Sequence, residues 1–137
     1  MMYNDCIFCK IANGEIPTRS IYEDEDFNVI LDMNPATKGH ALILPKDHAA
    51  NLFELPDDTA AKLMPLAKSL ATKMKDALKC DGFNLVQNNG ECAGQTVNHF
   101  HLHLIPRYEN DGQRILWEPT TVPAEELDKT LKTIKEA

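Results

Sequence analysis

The sequence has 137 residues, of which 43% are hydrophobic and 26% are charged, and its formal net charge is −7 at pH 7. The resulting pI of about 5.1 argues against binding nucleic acid through a broad basic surface. No apolar run approaches the roughly 18–20 residues of a membrane-spanning helix, so we expect no membrane contact. The length suits a single domain, residues 1–137, with a hydrophobic core of its own.

There are four cysteines, but the N-terminus Met1–Asp5 is short and polar and does not resemble a secretory leader. We therefore expect a cytoplasmic protein whose thiols are reduced. Reduced cysteines that lie close together in the sequence are candidate metal ligands.

Apolar periodicity and turn residues predict the secondary structure. The strongest signal is a long helix in which apolar residues recur at three- and four-residue steps. Together the elements predict an α+β domain, with an antiparallel sheet of about five strands packed against one long helix and shorter N- and C-terminal helices. In chain order they are a short helix or turn at Cys6–Cys9, a hairpin over Ile21–Asp32, a strand at His40–Leu44, a short helix from Asp47 to about Leu52, the long helix at Asp57–Lys79, strands at Phe83–Gln87 and Val97–Ile105, and a last helix at Pro123–Lys135.

Two details of the predicted helices can be checked directly. Asp47 is expected to be the N-cap of the short helix, since aspartate favours that position. Pro65 falls inside the long helix, where a proline costs about 3 kcal/mol or more. Either the first turn is a separate piece, or the helix bends at Pro65.

The most informative stretch contains three of the five histidines of the chain, at positions 99, 101 and 103. They alternate with bulky apolar residues, so in a strand all three imidazoles would share one face, roughly 6–7 Å apart. A polar, half-exposed strand face does not need histidine, which makes a purely structural role improbable. Two functional interpretations remain: the three imidazoles hold a metal ion, or one imidazole acts as a nucleophile.

The motif Cys6-Ile7-Phe8-Cys9 is half of a metal site, because a structural zinc needs four ligands and Cys₂His₂ is a common set. His48 follows a predicted strand end, where its side chain can turn towards another element. A histidine at one end of the triad would complete the set. The alternative is that Cys6 and Cys9 are buried thiols that pack as small apolar groups.

The loop Asn88–Thr96 leads directly into the histidine strand and is rich in amide, hydroxyl and glycine groups. Glycines allow backbone N–H groups to approach a ligand and to form anion-binding concavities. A polar hairpin loop would have the same composition, but its position before the histidines favours a binding role.

The segment Gly94–Ile105 resembles the signature of the histidine triad (HIT) family of nucleotide hydrolases and transferases. That signature is His-apolar-His-apolar-His-apolar-apolar, and all seven positions match. The similarity covers residues 5–107, which leaves 108–137 as a C-terminal extension, and it is strongest to bacterial-type, zinc-containing members of the Hint-like group. It also includes the segments Cys6–Ile11, Glu15–Pro17, Asp32–Pro35 and His40–His48.

The resemblance implies a HIT-like fold and a specific reaction. His101 would attack the α-phosphorus of a purine nucleotide conjugate, which can be a phosphoramidate, an acyl phosphate or a dinucleoside polyphosphate. A covalent nucleotidyl-His101 intermediate would form, and water would then release the nucleoside monophosphate. The implied catalytic residues are His101, His103, Gln95 and Thr96. The implied nucleotide-binding residues are Asp32 for the ribose hydroxyls and, for phosphate oxygens or the leaving group, Asn88, Gln95, Thr96, His101 and His103.

The resemblance also implies a structural Zn²⁺, no organic cofactor and a homodimer. The matching zinc ligands are Cys6, Cys9, His48 and His99. His40 matches a position that orients the triad. In one branch of the family the C-terminal tail influences substrate choice at the partner's site, which suggests such a role for Arg114 and Trp117.

The chemistry of phosphorus supports a histidine nucleophile, because negative phosphate oxygens repel an anion but not a neutral imidazole. Neutral amide and hydroxyl donors can stabilise the charge on those oxygens. Two alternatives come from other functional classes. One is a nucleotide-binding or interaction protein with little turnover, and the other is a metal hydrolase with zinc on the triad.

Overall fold

The computed structural model describes residues 5–137. The first four residues, which contain most of the polar N-terminus that argues against a leader, lie outside this range. The helices are α1 (Ile7–Ala12), α2 (Asp57–Leu78) and α3 (Ala124–Lys135), the strands are β1 (Ser20–Glu23), β2 (Phe27–Leu31), β3 (Ala41–Pro45), β4 (Gly82–Val86) and β5 (Leu102–Arg107), and short 3-10 helices lie at Leu52–Glu54 and Glu91–Ala93. The strands form one sheet in the order β1-β2-β3-β5-β4, with every neighbouring pair antiparallel.

The central strands β2, β3 and β5 are buried on both faces of the sheet, and α1 and α2 cover opposite sides. On one face, alternate residues of β2, β3 and β5 pack against Ala67, Leu70 and Met74 of α2. On the other face, α1 packs against Ile30, Leu42 and Leu44. Side chains alternate between faces along a strand. His103, which lies between two residues of the α2-side core, therefore projects towards the α1 side.

The predicted α+β class and most of the elements are confirmed. The hairpin turn is held by the carboxylate of Asp24, whose Oδ1 accepts hydrogen bonds of 2.8 Å from the backbone N–H groups of Asp26 and Phe27. Helix α2 runs without a break through Pro65, so its first turn is not a separate piece. It ends where Lys79 adopts a left-handed conformation with φ 54°. None of the helices in the described range combines the length and the apolar character needed to cross a membrane.

The predicted short helix from Asp47 to Leu52 is wrong. The chain is irregular there, and the single helical turn begins at Leu52 with Asn51 as its N-cap, whose side chain accepts from Glu54 N. The reason is that a donor needed for the helix has another partner. A helix over these residues would direct Leu52 N–H to His48 O, but this N–H donates to Asn89 Oδ1 at 2.7 Å.

The predicted histidine strand Val97–Ile105 is wrong in its first half, because β5 begins only at Leu102. The register pairs Ile43 of β3 with Leu102, so continuing the ladder would place Phe100 opposite Pro45. Proline has no N–H to donate, and the carbonyl of Pro45 accepts from the ring of His99 instead. The chain therefore joins the sheet only after His101. His99 and His101 lie before the strand, whereas His103 lies within β5.

Candidate active site and metal centre

Two cysteines and two histidines from distant parts of the chain meet at the N-terminus of α1. Cys6 caps this helix, with its Sγ accepting from Cys9 N at 3.3 Å. His99 Nδ1 lies 3.4 Å from the Sγ atoms of both Cys6 and Cys9, and His48 Nδ1 lies 3.3 Å from Cys9 Sγ. All four candidate ligand atoms lie within 4.8 Å of one another.

These separations fit a tetrahedral metal site. Zinc bonds of about 2.3 Å to sulfur and about 2.0–2.1 Å to nitrogen place sulfur and nitrogen roughly 3.5 Å apart. A histidine that binds a metal through one nitrogen usually donates a hydrogen bond from the other. His99 does so, since its Nε2–H donates to Pro45 O at 2.8 Å. This fixes the tautomer and turns the Nδ1 lone pair towards the thiols. Burial, with smaller effects of His48 and His101, lowers the pKa of His99 to about 4, which keeps the ring neutral.

The ring of His101 is buried and has its proton placed by the main chain. Its Nδ1 lies 2.7 Å from the carbonyl oxygen of His99. Because a carbonyl can only accept, Nδ1 must carry the proton, and the lone pair of the neutral ring is on Nε2. Phe8 of α1 packs edge-on against this ring, with 5.1 Å between the ring centroids. The fold thus orients the Nε2 lone pair of His101.

The proton of His103 is placed through a second histidine. The backbone N–H of Ala36 donates to His40 Nδ1 at 2.9 Å, so the proton of the neutral His40 ring is on Nε2. That group faces His103 Nδ1 at 2.9 Å. His103 therefore accepts at Nδ1 and carries its own proton on Nε2. Asp32 supports this arrangement, since its Oδ2 lies 3.6 Å from His40 Nε2.

The electrostatic environment keeps His40 and His103 neutral. Burial is the largest cause that lowers the pKa of His103 to about 4, with further lowering by His101 and His40 and a partial opposing effect of Asp32. Burial also lowers the pKa of His40, again opposed by Asp32. The His101 and His103 rings lie next to each other, with 5.0 Å between their centroids. The pair therefore combines a nitrogen lone pair with an N–H donor.

Gln95 lies in the predicted loop, but its amide is committed to the protein itself. Its Nε2 donates to Ala50 O at 2.6 Å and to Val97 O at 2.9 Å, and its Oε1 accepts from Gly90 N at 2.8 Å. Both N–H groups of the amide are thus engaged by backbone carbonyls. The side chain fixes the loop that precedes the triad.

Asn88 and Thr96 line different surfaces of this loop. Asn88 lies two residues beyond Val86, the β4 residue paired with His103. It lines an open cavity of about 550 Å³ together with Trp117 of the same chain. Thr96 is exposed and lines a second open cavity, of about 440 Å³, beside Cys6.

Three features of this site were not visible in the sequence. They are the edge contact of Phe8, the Ala36 N–H and the hydrogen-bonded His40–His103 pair. Of the residues involved, His40 alone has a predicted role near His103, because the family resemblance matches it to a position that orients the triad. The Ala36 N–H has no sequence signal, because a backbone donor is present at every residue except proline.

Residues 13–110 match the description of the HIT domain family. This chain belongs to the HIT family. An uncharacterised HIT-like protein of Methanocaldococcus jannaschii is 48% identical over 130 residues, which cover 95% of this chain and 98% of that protein. Adenosine 5'-monophosphoramidase HNT1 of Saccharomyces cerevisiae is 45% identical over 124 residues, covering 90% and 73%. The predicted membership of the HIT family, which contains hydrolases, is therefore confirmed.

Solved structures of the family agree with the fold. A HIT family protein of Bacillus anthracis has a TM-score of 0.90 and 43% identity, and the match covers 97% of this chain and 96% of that one. A Zn-bound histidine triad family protein of Mycobacterium smegmatis has a TM-score of 0.76 and 39% identity, with 85% and 84% covered. The sheet and its helices are therefore those of the HIT fold.

We predict that the His103 ring does not titrate near pH 6.5 and stays neutral down to about pH 4, because burial disfavours its charged form. Side-chain ¹H–¹⁵N NMR between pH 8 and 4 measures this directly. The unfolded ring takes up a proton near pH 6.5, so His103 should lower the unfolding free energy as the pH falls from 6.5 to 4.

The variant His103→Gln is the control for this pH dependence. Its unfolding free energy, measured with urea at several pH values, should fall less steeply over the same window. A His103 signal that titrates with a midpoint near 6.5 would contradict the prediction.

Proposed function

We propose that this protein is a nucleotide hydrolase or nucleotidyl transferase that acts at the α-phosphate of a purine nucleotide conjugate. The observation that carries the proposal is the pair of fixed tautomers: Nδ1–H of His101 on a main-chain carbonyl, and His103 with its proton on Nε2. The yeast relative, named an adenosine 5'-monophosphoramidase, supports a nucleotide substrate.

The proposed reaction has two displacements at phosphorus. The Nε2 lone pair of His101 forms a bond to the α-phosphorus, and the bond from phosphorus to the leaving group breaks. His103 Nε2–H donates a hydrogen bond to the charge that develops on the phosphate or the leaving atom. The leaving group takes a proton from solvent. A water oxygen then bonds to phosphorus, the P–Nε2 bond breaks, and the water releases its proton to solvent.

The remaining predicted contacts complete the proposal. Asp32 is proposed to bind the ribose hydroxyls, since its carboxylate lies beside the His40–His103 pair. Asn88 and Thr96 are proposed to contact phosphate oxygens or the leaving group. Gln95 is proposed to act indirectly by fixing the conformation of this loop, because its side-chain oxygen accepts a hydrogen bond from Gly90 N. We propose that residues 1–137 form one domain, with a core at 5–107 and a C-terminal extension at 108–137.

A direct comparison of substrates would identify the leaving group. Purified protein would be assayed with adenosine phosphoramidates, adenylyl acyl phosphates and dinucleoside polyphosphates, and with the guanosine series in parallel. Fast release of nucleoside monophosphate from one class identifies the substrate class. Binding of nucleotide without release would favour the alternative of a nucleotide-binding protein with little turnover.

We predict that His101→Ala lowers turnover by about three orders of magnitude or more, because the variant lacks the imidazole that forms the covalent bond to phosphorus. The wild type should form a labelled nucleotidyl-His101 adduct, detected by mass spectrometry after acid-free quenching, and the variant should not. Urea unfolding of both proteins checks that the fold is retained. An active His101→Ala protein would rule out the mechanism.

We also propose that Cys6, Cys9, His48 and His99 bind a structural zinc ion, as the donor set and separations indicate. The Zn-bound relative from Mycobacterium smegmatis supports zinc as the metal. Bound zinc would supply a crosslink between α1 and the segment before β5. The described residues contain a second group that could hold a metal ion, Asp32 with His40 and His103. Neither group combines all three triad histidines, so a hydrolase with one zinc ion on the whole triad is disfavoured.

The zinc proposal predicts that Cys6→Ser lowers the zinc content and the melting temperature, because one of four ligands is lost. Cys92→Ser is the matched control, since Cys92 is exposed and lies outside the cluster. Zinc per chain is measured by mass spectrometry of the metal. At temperatures where Cys6→Ser remains folded, we expect it to keep activity. Activity that follows the zinc content instead would favour the metal hydrolase.

We propose a homodimer located in the cytoplasm. Helix α3 displays a stripe of exposed apolar side chains, Leu127, Leu131 and Ile134, at helical spacing. A second copy offers a complementary surface, an apolar cavity of about 360 Å³ between α2 and the β1–β2 hairpin. Lys38 and Lys73 line this cavity, and their charge is opposite to that of the two glutamates in the first turn of α3.

The dimer proposal predicts that Leu131→Asp shifts the protein towards monomer, because a charge is placed in the centre of the apolar stripe. Thr133→Asp adds the same charge outside the stripe and should leave the dimer intact. Sedimentation equilibrium should give twice the chain mass of 15.4 kDa for the wild type. A monomeric wild type would contradict the dimer, and a dimeric Leu131→Asp would exclude the stripe from the interface.

A further inference from the structure

The turn that follows β5 is organised around one carboxylate. Asp111 accepts hydrogen bonds from Arg107 Nε (2.8 Å), Arg107 Nη2 (3.0 Å), Tyr108 N (3.0 Å) and Gln113 N (2.9 Å). Arg107 also anchors the turn on β4, since its Nη1 donates to Asn84 Oδ1 at 2.9 Å. The Arg107 guanidinium is the largest cause that lowers the pKa of Asp111, so this carboxylate stays ionised and keeps all four bonds.

This turn and the end of β5 are bonded to three consecutive residues of the loop between β2 and β3. Each of these loop residues has its own hydrogen bond, and two of the three use a main-chain carbonyl of the loop as the acceptor. The bonds are Gln113 Nε2 to Ala36 O at 3.0 Å, Thr37 Oγ1 to Pro106 O at 2.5 Å, and Tyr108 OH to Lys38 O at 2.7 Å. We call residues 106–113 with these bonds the clamp.

The loop that the clamp holds carries the backbone donor that orders the active site. Ala36 N–H is the group that donates to His40 Nδ1, and His40 in turn faces His103. Hydrogen bonds thus connect Asp111 to His103 through three intervening residues. Gln113 bonds to Asp111 through its backbone N–H and to Ala36 O through its side chain, and Ala36 N–H bonds to His40, which faces His103. The clamp lies wholly outside the histidine motif.

We propose that the clamp is a positioning element for catalysis and that it determines which nitrogen of His103 carries the proton. The proposal rests on the proposed function, in which His103 Nε2–H faces the phosphate or the leaving group. Asp111 and Gln113 are positioning residues, because they act through Ala36 and His40 and do not touch the substrate.

The physical reason is that a pair of neutral imidazoles has two proton arrangements of similar energy. In one, His40 Nε2–H donates to His103 Nδ1 and leaves a donor at His103 Nε2. In the other, His103 Nδ1–H donates to His40 Nε2 and leaves a lone pair at His103 Nε2, which would repel phosphate oxygens. The Ala36 N–H excludes the second arrangement, because His40 would then need its proton at Nδ1, where Ala36 already donates. Asp32 near His40 Nε2 favours the same arrangement.

The test compares Asp111→Ala with Glu109→Ala in the full-length, metal-loaded protein. Both variants remove one carboxylate from the same turn, but the Glu109 side chain is exposed and takes no part in the hydrogen bonds of the clamp. Long-range ¹H–¹⁵N NMR of the imidazoles reports the tautomer of each ring without substrate. The wild type and Glu109→Ala should show His40 and His103 with the proton on Nε2 only. Asp111→Ala should show a mixture of tautomers for His103, and its kcat should fall by about tenfold.

A second variant covers the case in which Asp111→Ala does not fold. Gln113→Ala removes only the side-chain bond to Ala36 O and should show the same mixture of tautomers to a smaller extent. A single Nε2–H tautomer of His103 in both variants would overturn the proposal, as would an unchanged kcat in a folded Asp111→Ala protein. A wild type that lacks turnover but keeps the expected tautomers would instead count against the proposed function.

Discussion

The hydrogen bond from His99 Nε2 to the carbonyl of Pro45 joins the sheet, the metal cluster and the active site. It ends the β3–β5 ladder, because it uses the carbonyl of a residue that has no N–H to offer. It turns His99 Nδ1 towards the thiols of α1. It also fixes the peptide whose carbonyl accepts the His101 proton. One main-chain acceptor therefore sets the starting geometry for both centres of the molecule.

The same principle extends to the whole triad, since backbone groups place the proton of every ring. His99 is set by Pro45 O, His101 by His99 O, and His103 by Ala36 N–H through His40. Main-chain groups in a packed fold cannot rotate as a side chain can, so the tautomers are prepared before a substrate arrives. Burial keeps the outer rings neutral. Three identical side chains thereby acquire a lone pair on Nδ1 in His99, a lone pair on Nε2 in His101 and an N–H donor at Nε2 in His103, which are the properties that the proposed roles require.

The sequence predicts those elements whose formation depends on local residue patterns. It does not predict element ends and side-chain contacts that depend on backbone groups far away in the chain. The β1–β2 hairpin and α2 follow from turn residues and helical periodicity, and both are confirmed. The start of β5 depends on Pro45, 57 positions before Leu102 in the chain, and no pattern within Val97–Ile105 reveals it. The grouping of Cys6, Cys9, His48 and His99 came from the family resemblance, and the short-range spacing supplied only half of it. For Gln95 the residue type pointed to ligand binding, but only the packed structure shows that carbonyls engage both amide N–H groups.

The bonds between the turn after β5 and the β2–β3 loop bear on where this chain can be divided. The last strand of the sheet ends at Arg107, which makes the end of β5 look like a natural place to truncate or to attach a fusion partner. A chain cut there would lose Tyr108 and Gln113, which hold the carbonyls on either side of Thr37. The smallest unit that preserves the geometry around His40 extends to residue 113. Shortened or chimeric proteins of this type should therefore be joined beyond that residue.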